Sequence, residues 1–193
     1  MPIPTNLDEI IEFFWVAPDD AEWRPKRDTI PLDHLRQWMK SSDIEILGFA
    51  FDMVGDSRFE VEPTLSVNEY LDFAKHYLGR CVRENPDGEW SESRYSAGNT
   101  LVRVFVHVWD EESVPRAHLQ DLKEWLAAIY KEGDDEIRTC VVQATVEHLF
   151  ERKAIMDFFS DWRKDPLLHE AYDQAALWPE GGGNTHLTDP YPS

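Results

Sequence analysis

The chain has 193 residues, 42% of them hydrophobic and 30% charged, an ordinary globular balance that can bury a core without metals or disulfides. Thirty-eight acids against nineteen bases leave a net charge of −19, which repels phosphate backbones and anionic lipid heads and argues against direct nucleic-acid or membrane binding. No apolar run approaches the roughly 18 residues of a membrane-spanning helix, and the opening MPIPTNLDEIIEFF, acidic and lacking a basic region, does not read as a signal peptide.

Helix signals dominate from the start. Asn6 with Glu9 three positions on forms a capping box that opens a short helix through Trp15. PDDAEWRPKRD follows as a proline-broken loop. In IPLDHLRQWMK, Pro31 sits in the first turn, and Leu32, Leu35, Trp38 and Met39 recur at helical spacing. The segment 44–62 reads two ways. Ile44, Leu47 and Phe51 suit a helix followed by an extended connection ending at Pro63, while the apolar runs flanking Gly55-Asp56-Ser57 suit a short β-hairpin. Ser66 with Glu69 is a second capping box, and Tyr70, Phe73, Ala74, Tyr77, Leu78, Cys81 and Val82 form one apolar stripe after it. ENPDGEWSES ends that helix as a loop.

Residues 99–111 are also ambiguous. Val102, Val104, Val106 and Val108 would make a β-branched strand face, whereas Leu101, Val104, Phe105, Val108 and Trp109 fall on one face of a helix. A lone strand has nothing to pair with, so the helix is favoured. Pro115 then opens a helix that stops at Gly133, Asp134 or Asp135 caps the next from Ile137 to about Arg152, and Asp165-Pro166 starts the last. Residues 179–193 have no core-forming pattern and read as a C-terminal tail after a single helical domain over 1–178.

The expected fold is therefore predominantly α, with stacked antiparallel helix pairs in a HEAT-like or bundle arrangement, since short turns make neighbouring helices antiparallel. The segments SRYSAG, EHLFE and DWRKDPLL, which together cover about the C-terminal half, resemble those of uncharacterised bacterial helical proteins. That resemblance implies the helical fold and carries no activity.

Glu147, His148 and Glu151 form the sharpest constellation. On a wheel started at Ile137, His148 falls at the centre of the apolar face, which predicts a core histidine satisfied by Glu151 one turn on. Di-iron bundles use Glu-x-x-His twice; here the order is His-x-x-Glu and it occurs once, and HExxH is absent. A second trio, Glu69, Asp72 and His76, lies opposite an apolar stripe and reads as a solvated face. Arg103 and His107 form a polar stripe on an apolar helix, best explained by pairing with acids of a neighbour. Nucleophile elbows, phosphate-cradling loops and zinc-ligand cysteine frameworks are missing, and GGGN at 181–184 lacks a following lysine. Cys81 and Cys140, set inside apolar patterns, read as buried thiols of a cytoplasmic protein.

Acids cluster at 8–22 and again from Asp110 to Glu136, where nine acids face three bases. These observations point to a protein-binding module that docks a basic partner, in the manner of a toxin-neutralising immunity protein or inhibitor, and needs no cofactor. Asp19, Asp20, Asp134 and Asp135 would steer the partner. Trp23 and Trp90, set in polar loops, would anchor it, with Arg94 and Tyr95 as a recognition pair or as a pin for the loop before them. Two alternatives stand beside this reading. One is a metal-assisted enzyme built on His148, Glu151 and His107, with Arg103; the other is an accessory subunit of a larger assembly, docked through its tail.

Overall fold

The computed structural model describes residues 28–56 and 59–180. The amino-terminal capping box at Asn6, the loop carrying Asp19, Asp20 and Trp23, and the tail from residue 181 onward lie outside the described residues. The chain is predominantly α-helical, with one small strand pair among the described residues. It divides into two compact units, and the division falls between Ala97 and Gly98.

In the first unit, strand β1 (Asp28–Pro31) leads directly into helix α1 (Leu32–Trp38), because the ring of Pro31 sets the φ of −60° from which the helix starts. Leu32, Leu35 and Trp38 then fall inward at helical spacing. Helix α2 (Ile44–Gly55) is capped by the Asp43 carboxylate, which accepts from the Glu45 N–H. Strand β2 (Phe59–Glu62) pairs with β1 in parallel, Asp28 against Phe59 through Pro31 against Glu62. The hairpin alternative for 44–62 is thus corrected. Residues 44–55 are helix, and the strand after them finds its partner before α1 instead of across a tight turn, since parallel pairing requires a crossover and α1 with α2 provide it.

Helix α3 (Val67–Glu84) starts as its sequence predicts. The Ser66 hydroxyl accepts from the Glu69 N–H, and the Glu69 carboxylate reaches back to the Ser66 N–H and hydroxyl. Arg36 of α1 donates to the same carboxylate from two nitrogens, at 2.8 and 3.0 Å, so the cap also fastens α1 to α3. Tyr77, Leu78, Ala74 and Cys81 are fully buried along its inner face. Asn85 ends it in the left-handed region at φ 47°, a conformation asparagine tolerates better than most residues.

Helix α4 (Arg94–Asp110) resolves the second ambiguity in favour of helix: Leu101, Val104, Phe105 and Val108 are buried while Arg103 and His107 are exposed. In the second unit, α5 (Ala117–Glu132) ends at Gly133, and Asp134 caps α6 (Asp135–Cys140) by accepting from the Ile137 N–H at 2.9 Å. The helix then widens to a π-helical stretch, Val141–Val146, before α7 (Glu147–Phe150). Helix α8 (Lys153–Phe158) runs into a 3-10 turn, Ser160–Lys164. The Asp165 carboxylate then accepts from Leu167 and Leu168 to open α9 (Leu168–Glu180). Lys123 of α5 is buried, donating to the Phe158 carbonyl and to both Asp161 oxygens at 3.0–3.1 Å. A buried ammonium needs such full pairing, and this one pins the 3-10 turn onto α5.

Two outcomes follow. A Cβ on Gly48 of α2 would overlap the Trp90 carbonyl, whereas one on Gly55 meets nothing within 4 Å. Gly48→Ala should therefore destabilise by about 1–3 kcal/mol despite the better helix propensity of alanine, while Gly55→Ala should be neutral or stabilise by about 0.5 kcal/mol; urea midpoints followed by circular dichroism measure both. The Ser66 hydroxyl, then the Arg36 guanidinium, hold the Glu69 carboxyl at about 2, against its ordinary 4.5. Because that folded-state value is depressed, its contribution to stability is complete above 4.5 and is lost as pH falls toward 2. Glu69→Gln should flatten this acid limb of the urea midpoint, and an unchanged limb would show the cap to be energetically idle.

Candidate functional site

The π-helical stretch decides where Glu147, His148 and Glu151 point. Each i→i+5 bond takes one more residue than an α-turn, so the helical face slips by one position, about 100°. Leu149, with none of its surface exposed, occupies the inward position that an uninterrupted wheel gives to His148. His148 is a half-buried residue at the rim, its side chain 31% exposed. The core-histidine expectation is corrected on this point. Its partner is the expected one: the His148 Nδ1 lies 3.2 Å from the Glu151 Oε1. Glu147 is also half-buried, and burial pushes its carboxyl above the ordinary value, with the neighbouring His148 acting in the opposite direction.

Within the π-helical stretch, Val141, Val142, Ala144, Thr145 and Val146 are buried. Thr145 donates to the Gly98 carbonyl of α4 at 3.0 Å, and a Cβ on Gly98 would stand 2.6 Å from the Ala144 Cβ. This stretch is therefore a packing surface against α4, and the polar cluster begins where it ends.

The other members of the metal-assisted alternative do not converge on that cluster. His107 is exposed on α4 and acts electrostatically on Glu111, and Arg103 donates to Thr100 of its own helix instead of to an acid of a neighbour. Among the described residues no group of three or more His, Cys, Asp or Glu side chains is placed to hold a metal ion. In the first unit, Glu69 belongs to the α3 cap, Asp72 pairs with Lys75 at 3.1 Å, and His76 is exposed, as a solvated face predicts.

The loop before α4 is fastened down along its length. Trp90 is half-buried and meets Phe49 edge to face at 5.0 Å. Its backbone N–H donates to Glu45 at 2.8 Å, the Ser91 hydroxyl donates to the same carboxylate, and the Tyr77 hydroxyl accepts from the Glu92 N–H at 2.8 Å. Burial opposes ionisation of Glu45, but the hydrogen bonds from Ser91 and Trp90 outweigh it and hold the carboxyl below its ordinary value. The Trp90 indole Nε1 is buried without a hydrogen-bond partner among the described residues. The expectation of an exposed Trp90 is corrected: Gly48 lets its carbonyl lie directly on α2. Arg94 is buried and donates to the Val82 carbonyl at 2.7 Å and the Arg83 carbonyl at 3.4 Å, closing the end of α3. It is a pin for the loop. Tyr95 is 47% exposed. Cys81 beneath the loop is a buried thiol whose ionisation burial pushes up to about 12, which leaves it without nucleophilic character near neutrality.

Of the proposed steering acids, Asp134 serves as a helix cap, while Asp135 is exposed, with Arg138 at 3.9 Å. Sequence reasoning passed over Trp109 and Phe158. Both are half-buried, with ring centroids 5.6 Å apart, and the Arg116 guanidinium lies over Trp109 at 4.4 Å. The available signal was the place of Trp109 at the end of the apolar stripe of α4, one residue before exposed acids.

Because burial raises the folded-state value of Glu147, stability declines as pH rises from 4.5 through that higher value. Glu147→Gln should raise the urea midpoint at about pH 7 and leave it unchanged at about pH 4, where the carboxyl is protonated in both states; a midpoint lowered at both pH values would show that the ionised form is needed. No family model, curated protein or solved structure matches the chain.

Proposed function

We propose that the protein is an acidic binding module that docks a basic protein partner, in the manner of a toxin-neutralising immunity protein or inhibitor. The observation that carries this reading is the disposition of charge. Bases are outnumbered two to one, and the described ones are largely drawn into the chain's own structure. Arg36 binds Glu69, Arg80 binds Glu84, Lys123 binds Asp161, Lys131 binds Asp165 and Arg152 binds Asp110. Arg94 and Arg138 bind helix-end carbonyls. Each such pair neutralises one acid at most, so the surplus of acids faces outward and sets the sign of the field a partner meets.

Other features agree with this reading. Glu111, Glu112, Glu124 and Asp135 are exposed. No helix among the described residues is long and apolar enough to cross a membrane. Both cysteines are buried outside any disulfide, which fits a reducing compartment such as the cytoplasm.

The test is affinity capture at low and high salt with the wild-type chain and a Glu112→Lys, Glu124→Lys, Asp135→Lys triple variant, which leaves the helix caps in place. One basic protein retained at a fixed stoichiometry, released as salt rises and lost with the triple variant, is the expected result. Retention insensitive to both salt and charge reversal would overturn the proposal.

A further inference from the structure

Trp109 closes the last turn of α4, and Phe158 ends α8. Their rings meet edge to face at 72°, and buried Phe105 stacks behind Trp109 at 18°, so the pair is held rigid from within. The buried Lys123 ammonium approaches Phe158 at 4.4 Å. On the outer side, the Arg116 guanidinium lies over the Trp109 ring, and Arg116 makes no ion pair among the described residues. That distinguishes it from Arg152, whose guanidinium grips both oxygens of Asp110. Acids lie close to both rings along the chain. Glu111 and Glu112 follow Trp109 on an exposed turn. Asp157 and Asp161 flank Phe158 with side chains 61% and 58% exposed, the first paired with Lys153 and the second with Lys123.

We propose that the Trp109–Phe158 pair is the seat for an arginine of the basic partner, and that Arg116 of the chain itself covers this seat until the partner displaces it. The inference rests on the acidic-docking reading and gives it a location. Charge complementarity selects the occupant: Glu111 and Glu112, exposed and in no ion pair among the described residues, stand just beyond Trp109 in the chain and attract a cation. An arginine fits better than a lysine because its planar, weakly hydrated guanidinium stacks on the indole while its N–H groups reach the carboxylates. Tryptophan and arginine are also the side chains that most often dominate protein interfaces. Arg116 shows that the ring accepts a guanidinium. Arg116 itself is exposed and is held there by stacking, so it is also easily displaced.

The probe is a capped arginine–glycine hexapeptide, with its lysine counterpart as control, titrated into the full chain at low salt. The Trp109 indole N–H is followed by nuclear magnetic resonance and assigned from the spectrum of Trp109→Phe. The arginine peptide should shift that resonance saturably. Arg116→Ala should tighten binding about two- to fivefold, the range a surface cation–π contact supports. Lys164→Ala, which removes one positive charge elsewhere in the same unit, should not reproduce the gain, and Trp109→Leu should abolish it. Glu112→Lys and Asp157→Lys should weaken binding. An unmoved Trp109 resonance, no gain from Arg116→Ala, or an equal response to the lysine peptide would overturn the seat. If charge reversal and salt still release the peptide in that case, the acidic-docking reading survives without it; if they do not, both fall.

Discussion

The carbonyl end of a helix is where this structure is most exposed to failure, and in both units it is secured by an arginine from the next helix. The last carbonyls of a helix have no partner within it, and leaving them buried and unpaired costs more than a typical hydrogen bond contributes. At the end of α3, Arg94 reaches back from the first residue of α4 to the carbonyls of Val82 and Arg83. At the end of α5, Arg138 of α6 reaches back to those of Tyr130 and Lys131, at 3.1 and 3.4 Å. A guanidinium suits this work. Its donors fan out in one plane, and its charge sits well at the negative end of the helix dipole. Each arginine also fixes where the following helix begins, so the same contact terminates one element and aims the next.

Close approach is the second constraint, and it falls on small residues. Gly48 lets the Trp90 carbonyl rest on α2, and Gly98 admits Ala144 and Thr145 of the π-helical stretch against α4. Any side chain at either place would push apart segments that now lie in van der Waals reach. The glycines therefore give up helix propensity, about 1 kcal/mol each, in return for contacts that no other residue allows.

These constraints explain what was legible in the sequence. Features specified by a few neighbouring residues could be read directly. The Ser66–Glu69 box, the Asp134 cap, the Asp165 start and the apolar stripe of α3 all stand where local spacing places them. Features that depend on distant partners were not legible. The β1–β2 pair joins residues separated by two helices, and neither strand announces the other. The π-helical stretch has no residue signature in VVQATV, yet it turns every later side chain by one position and moves His148 from the core to the rim. Trp90 sits among polar neighbours, but its burial is set by Gly48 on another helix. The candidate site was therefore only partly readable. The Glu151 partner of His148 and the pinning role of Arg94 could be named in advance, whereas the Trp109–Phe158 pair depends on α4 meeting α8.

The same bonds that secure the fold shape its electrostatics. Every arginine committed to a helix-end carbonyl, and every lysine buried like Lys123, is a cation fixed in an internal role and unable to mask a surface acid elsewhere. A chain with few bases that employs them as fasteners necessarily presents its surplus acids to solvent. Self-repulsion among those acids works against compactness, so the fasteners also have to hold against the field they leave behind. Arg116, like Arg163 over Tyr172, is not employed in this way. It closes no helix end and grips no carboxylate, and it rests on an aromatic ring beside exposed acids. Moving it therefore disturbs neither a helix end nor an ion pair among the described residues, which is why the arginine at that place is suited to yield to another.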